Sequence, residues 1–208
     1  MRTFIAIPCM DMIHTTFFKS MIALERVGDV KYGMTQSSLI YAARNTLAKQ
    51  AVEEDFDRIL WFDSDMDIPP DAMKMLSADI DEGREFVSAI YFKRMLPTAP
   101  VLYSELGYYD DEGHVTPVAK PYHDYPRDQI FEIQAAGFGC CMMTVDLVRK
   151  VLAKFGQPFS PMMGFGEDLS FCARVLQLGI PLYADSRIKC GHVGAHLVTE
   201  NTFIQGLV

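Results

Sequence analysis

The stretch Ile59-Leu60-Trp61-Phe62-Asp63-Ser64-Asp65-Met66-Asp67 fixes the class of this chain. Four apolar residues run straight into three acids spaced two apart, and Pro69-Pro70 closes the segment. An apolar run bounded by breakers reads as a buried strand, as in a parallel sheet covered on both faces. Side chains alternate along a strand, so Asp63, Asp65 and Asp67 are expected to share a face where it ends. Carboxylates there need solvent, hydrogen bonds or a cation, and open α/β sheets bind ligands at that end. A hard divalent metal beside a phosphate would use such oxygens. The plainer reading is a polar turn into the next helix, and Pro70-Asp71 does read as a helix start. The two readings are compatible.

The chain has 208 residues, enough for one domain with an inserted subdomain and a sizeable core. Half of it is hydrophobic and 12% is aromatic, which argues against disorder. No apolar run is long enough to span a bilayer, and the opening Met1 to Pro8 reads as a first strand rather than a signal peptide. Lys and Arg number 19 against 27 Asp and Glu, a net charge of −8, which disfavours nucleic acid as a partner. Five cysteines with no paired spacing point to a reducing, cytoplasmic setting rather than a disulfide framework. Only Cys190-Gly191-His192 with His196 approaches zinc-ligand spacing, which argues against structural zinc.

In order, the pattern predicts a strand over Phe4 to Pro8, ended by the proline, and a helix over Thr15 to Arg26. The turn between them has no glycine-rich fingerprint, so neither a P-loop nor a dinucleotide turn is indicated. A second helix follows, capped by a serine of Gln36-Ser37-Ser38 and running to about Glu54. Next come the opening strand, a helix over Asp71 to Ile80 with proline at its first position, and a strand over Glu85 to Tyr91 followed by Lys93-Arg94. This order predicts an α/β domain with a mostly parallel central sheet. The segment 97–128, rich in proline and tyrosine, predicts a small β-hairpin insertion turning at Asp110-Asp111-Glu112-Gly113. Ile130 to Ala135 and Cys140 to Thr144 read as strands around the Gly137-Phe138-Gly139 break, and Val145 to Phe155 as a helix. A helix opens at Glu167-Asp168 and stops at Gly179. Leu182 to Ala184 and Arg187 to Cys190 read as two short strands, and the tail 195–208 shows no element.

Several residues carry chemistry. Asp168 opens a helix, where the backbone dipole favours an anion; it complements that helix end, or serves as a base that substrate reaches past the preceding glycine. Gly137 and Gly139 mark a bend or a close approach to ligand. His192 lies among glycines; it is structural, or it joins carboxylates on a divalent metal. If Asp65 and His192 meet, they form a site for Mn²⁺ or Mg²⁺. Arg44, on the border of its helix's buried face, reads as a snorkelling or ion-paired residue, or as a phosphate or base contact.

An apolar strand ending Asp-Ser-Asp, a central Gly-Phe-Gly, a Gly-Glu-Asp helix start and a late Cys-Gly-His, in that order, resemble the GT-A glycosyltransferases, especially family 2-like enzymes. The resemblance runs from Phe4 to about Gly194 and rests chiefly on Leu60 to Met66 and on Gly166-Glu167-Asp168. It implies a single Rossmann-like GT-A domain over residues 1–208, with 97–128 on the acceptor side. It implies that Asp63 and Asp65, with Ser64 between them, hold a nucleoside-diphosphate sugar, UDP- or GDP-linked, through Mn²⁺ or Mg²⁺. Asp63 would lie near ribose or metal, Asp65 would be a ligand, and His192 would complete the metal site. Pro8, Cys9 and Arg44 would border the nucleotide. Asp168 would deprotonate the acceptor hydroxyl of an inverting reaction, with Glu167 as the alternative base or an acceptor contact.

The chain departs from processive synthases: it is short and lacks the later Gln-x-x-Arg-Trp pattern. The acceptor, whether glycan, lipid-linked or protein, stays open, as does inversion against retention. Two rivals remain. A nucleotidyltransferase would show a basic glycine-rich loop where Cys9-Met10-Asp11-Met12 stands, and a non-catalytic nucleotide-sugar or carbohydrate-binding module would not need Asp63, Asp65, Asp168 and His192 together.

Overall fold

The computed structural model describes residues 1–95, 97–111, 114–162, 164–194 and 197–204. Its first half contains β1 (Arg2–Cys9), α1 (Thr15–Ala23), β2 (Asp29–Gln36), α2 (Ile40–Glu53), β3 (Arg58–Phe62), β4 (Met66–Asp67), α3 (Ala72–Asp81) and β5 (Phe86–Ile90). The hairpin strands β6 (Leu102–Asp111) and β7 (His114–Pro121) follow, then β8 (Ile130–Ile133), β9 (Ala135–Ala136) and β10 (Cys140–Thr144). The chain continues through α4 (Val145–Phe155), α5 (Glu167–Leu176), β11 (Leu182–Lys189), β12 (Gly191–Val193), β13 (Leu197–Val198) and α6 (Glu200–Ile204).

Seven strands form the central sheet in the order β2-β1-β3-β10-β5-β11-β8. The β1–β2, β1–β3 and β5–β11 pairs are parallel, whereas β10 runs antiparallel to β3 and β5, and β8 to β11. The sheet is therefore mixed rather than mostly parallel in its pairing, although β2, β1, β3, β5 and β11 point the same way. Period-two alternation sorts its side chains into two cores. Phe4, Ile59, Trp61, Cys141 and Met143 face α2, α4 and α5, through Leu47, Val148 and Phe171. Ile5, Leu60, Phe62, Cys140 and Met142 face α1 and α3, through Phe17 and Leu76. The result is a helix–sheet–helix sandwich, as both-face burial of β3 requires.

Several expected boundaries move. Pro8 does not end β1; it lies in register with Thr35 of β2, an edge strand that the periodicity does not reveal. No serine side chain caps α2: its N-cap is Leu39, and Ser37 Oγ accepts from the Leu39 N–H just before it. Pro69 and Pro70 precede α3, whose N-cap is Asp71. The two late strands are one, β11, whose register slips between Asp185 and Lys189. There Arg187 bridges the buried carboxylates of Asp185 and Asp79 at 2.8 and 3.0 Å. The tail contains β13 and α6; Phe203 of α6 stacks on Phe92, and Glu200 accepts from Arg127 and Tyr125. His196 lies outside the described residues, as do Glu112 and Gly113 at the expected hairpin turn.

Two glycines are set by packing. A Cβ on Gly33 would lie 2.0 Å from the Phe4 ring, which fills that space across the β1–β2 pair. A Cβ on Gly137 would lie 2.0 Å from the Tyr91 hydroxyl oxygen, while Gly139 N–H donates to that oxygen at 3.1 Å. The Gly-Phe-Gly break thus fits the backbone under Tyr91, the packing alternative of the two. Gly137→Ala is expected to cost about 1–3 kcal/mol, as overpacking does. Gly107→Ala, whose Cβ would meet open space, should stay within about 0.5 kcal/mol. Urea unfolding of both variants checks the pair.

Candidate functional site

The strands β1, β2, β3 and β5 carry their carboxyl ends to one edge of the sheet, and a cleft of about 360 Å³ opens there. That volume lies within the range of small-molecule sites. Pro8 and Cys9 line it from β1, Ser37 from beyond β2, Asp63, Ser64 and Asp65 from beyond β3, and Arg94 from beyond β5. His192 arrives from β12, which pairs antiparallel with β4. A larger depression of about 570 Å³ lies between Asp67–Pro70 and Thr199–Asn201. Its lysine, Lys189, is already paired with Asp128 and Glu200, so the smaller cleft holds the convergent chemistry.

The three acids do not share a face. The backbone turns at Asp63, with Met66 N–H reaching the Asp63 carbonyl at 3.3 Å, so strand alternation stops there. Each carboxylate takes its own direction. Asp63 accepts from Arg44 Nη2 at 2.8 Å. Asp65 meets Arg94 and His192. Asp67 accepts from Ser20 Oγ at 3.3 Å and serves to anchor α1. The turn itself is pinned on both sides: the Ser64 carbonyl accepts from His14 N–H at 3.0 Å, and the Asp65 carbonyl from Val193 N–H at 2.8 Å.

The last of these bonds brings His192 to the acids. Its Nε2 lies 3.4 Å from Asp65 Oδ2. Its Nδ1 lies 2.9 Å from the Phe92 carbonyl and must donate to it, because that oxygen has no proton to give. In the neutral ring, Nε2 is then the lone-pair nitrogen, facing the cleft. Burial disfavours the imidazolium, but the hydrogen bonds to Asp65 and the Phe92 carbonyl outweigh it and raise the His192 pKa. Burial likewise works against an ionised Asp65, yet His192 and Arg94 hold its pKa below the usual carboxylate value.

Arg44 is not on the cleft wall. It is 2% exposed, and its guanidinium binds Asp63 on one side and Glu167 Oε1, at 3.2 Å, on the other. The rings of Trp61 and Phe138 lie 5.5 and 5.4 Å from it, where their π-faces favour a cation. It orders the floor of the site. Asp168, the next residue of α5, accepts from its own Leu169 N–H at 2.7 Å. Burial, with the charge of Glu167 next to it, raises its pKa to about 6, against the pull of Arg44. Burial also raises Asp63, opposed by Arg44 and reinforced by Asp65 and Glu167.

Sequence reasoning overlooked Arg94 as a site residue. The signal was present: a Lys93-Arg94 pair just past the carboxyl end of a parallel strand, where ligand loops gather. Among the described residues, no set of three or more His, Cys, Asp and Glu side chains is arranged to hold a metal ion. Asp65 and His192 form a pair, and Asp63 is committed to Arg44.

No family model and no curated protein matches the chain. Among solved structures it is similar to the crystal structure of A197 from STIV, with a TM-score of 0.65 and 20% identity over 93% of this chain and 86% of that one. At that identity the likeness concerns the mixed α/β fold alone. No helix among the described residues is long and apolar enough to cross a membrane.

Two variants test these electrostatics. Arg44→Met is expected to cost on the order of 3 kcal/mol by stranding two carboxylates, at the lower end because both keep some contact with water; a loss below about 1 kcal/mol in urea unfolding would remove the linking role. Asp168 has a folded pKa above its unfolded one, so its favourable contribution is complete at low pH and is lost as pH rises to about 6. The melting temperature of Asp168→Asn relative to wild type should therefore climb between about pH 4 and 6 and level off above. A flat difference across that window would contradict the raised pKa.

Proposed function

We propose that the chain transfers a sugar from a nucleoside-diphosphate sugar, UDP- or GDP-linked, to an acceptor hydroxyl, with a GT-A-like use of its sheet. The observation that carries this reading is the meeting of Asp65 and His192 on the cleft at the carboxyl ends of the parallel strands. Asp168 supports it, a carboxyl with a pKa of about 6 electrostatically linked to the same floor.

The donor set suits a Mn²⁺ or Mg²⁺ ion completed by phosphate oxygens and water. The imidazole is fixed in orientation by the Phe92 carbonyl, as metal-binding histidines commonly are, and its remaining nitrogen faces a carboxylate oxygen. When bound, such an ion supplies Lewis-acid stabilisation of the departing diphosphate. Asp65 and His192 would hold it, and Asp63, oriented by Arg44, would contact the ribose side. Pro8, Cys9 and Ser64 would line the nucleotide wall. Asp168 would take the acceptor proton as the acceptor oxygen attacks the anomeric carbon, a service worth on the order of 10²–10⁴ in rate. Its raised pKa makes it a better base than an ordinary aspartate and leaves it ionised at neutral pH. The β6–β7 hairpin packs Tyr108 on Phe165 at 5.1 Å, just before α5, which suits an acceptor-side role for 97–128. The five thiols are unpaired and buried, in keeping with a reducing, cytoplasmic setting.

Thermal shift with UDP, GDP, CDP and ADP, each with and without Mn²⁺, tests the donor side. A diphosphate nucleotide should raise the melting temperature only with the metal present; no metal-dependent shift from any of the four would sink the reading. Asp168→Asn should keep that shift while losing transfer of a labelled sugar, and retained transfer would move the base to Glu167 or the reaction to retention.

A further inference from the structure

The cleft already contains a cation placed where one is wanted. Arg94 follows β5, stands half-exposed on the cleft wall, and binds Asp65 Oδ2 through Nη1. His192 Nε2 faces the same oxygen at 3.4 Å. The stem of Arg94 is anchored. Gly194 packs so closely on it that a Cβ there would lie 2.9 Å from Arg94 Cβ. The residue before it is also tied down, Lys93 N–H donating to the Ala99 carbonyl at 2.8 Å and its carbonyl accepting from Thr98 Oγ1 at 2.9 Å. The outer part of the side chain, by contrast, is half-exposed and held by Asp65.

Two cations on one carboxylate oxygen repel each other. A divalent ion that used Asp65 would therefore compete with the guanidinium. Displaced alone into water, Arg94 exchanges a partly exposed ion pair for hydration only. Displaced in the presence of a diphosphate, it finds phosphate oxygens in the same cleft, which its planar fork binds well. We propose that Arg94 guards the Asp65–His192 pair, holding Asp65 while the cleft is empty and passing to the diphosphate when metal and nucleotide arrive together. The proposal rests on the nucleotide-sugar reading and adds a property to it: metal and nucleoside diphosphate bind cooperatively, each raising the affinity for the other by the same factor.

Calorimetric titration of the full chain with Mn²⁺ alone, then with UDP or GDP in the presence of Mn²⁺, tests it on wild type, Arg94→Met and Arg94→Lys. With Mn²⁺ alone, Arg94→Met should bind about two- to fivefold more tightly than wild type, the scale of releasing a partly exposed ion pair. With Mn²⁺ present, the same variant should bind the nucleotide more weakly by a similar factor, and Arg94→Lys should recover part of the loss. Equal Mn²⁺ affinity in wild type and Arg94→Met, with nucleotide binding intact, overturns the guard and leaves the sugar-transfer reading standing. Absence of nucleotide binding in both proteins overturns that reading and the handover with it.

Discussion

A single buried guanidinium ties the two sides of the cleft floor together. Arg44 bridges the turn after β3 and the first turn of α5, joining residues 19 and 123 positions away in the chain. Burying an arginine is costly, and two carboxylates together with the faces of Trp61 and Phe138 offset that cost. Such a network is weak evidence for net stability, since well-packed apolar residues in place of all its members together often do as well. Its use is positional. It fixes the carboxylate of Asp63 and the start of α5 relative to each other, so Asp65 on one side and Asp168 on the other project from a common rigid base.

That base connects acids of different character. Asp65 has His192 and Arg94 against it, and they hold its pKa below the usual carboxylate value in spite of its burial. Asp168 is buried, with Glu167 beside it and an arginine already engaged by two other carboxylates, so its proton is held to about pH 6. Neighbouring groups pushed apart in pKa are suited to different tasks, one to ligate and one to exchange protons. Burial raises Asp168 first and the charge of Glu167 adds to it, whereas at Asp65 the cations His192 and Arg94 outweigh burial.

What was legible in the sequence follows from where each signal resides. β3, β10 and α4 are apolar or periodic segments with clear punctuation, and they stand where their residues indicate. β2 is an edge strand with mostly exposed or half-exposed side chains, Gly33 being its one buried position, so no alternation marks it. β11 reads as two strands because Asp185 and Ser186 are polar, although both are fully buried there. The cleft could be placed because ligand loops gather at the carboxyl ends of parallel strands. Its inner wiring could not be read. Alternation fails as soon as the backbone turns at Asp63, and the pairing of Arg94 with Asp65, 29 residues apart, leaves no local trace.

The Phe4 ring seated over Gly33 acts as a key in a lock for the edge of the sheet. Parallel pairing of β1 with β2 sets Ala6 opposite Gly33, and sliding β2 by one residue either way would bring Tyr32 or Met34 onto a ring that leaves no room even for a methyl group. The edge strand therefore has one permitted alignment, although its exposed side chains specify little. Because the loop of Ser37 and Ser38 hangs from the end of that strand, the ring contact at Gly33 also meters how far the cleft wall reaches four residues further on.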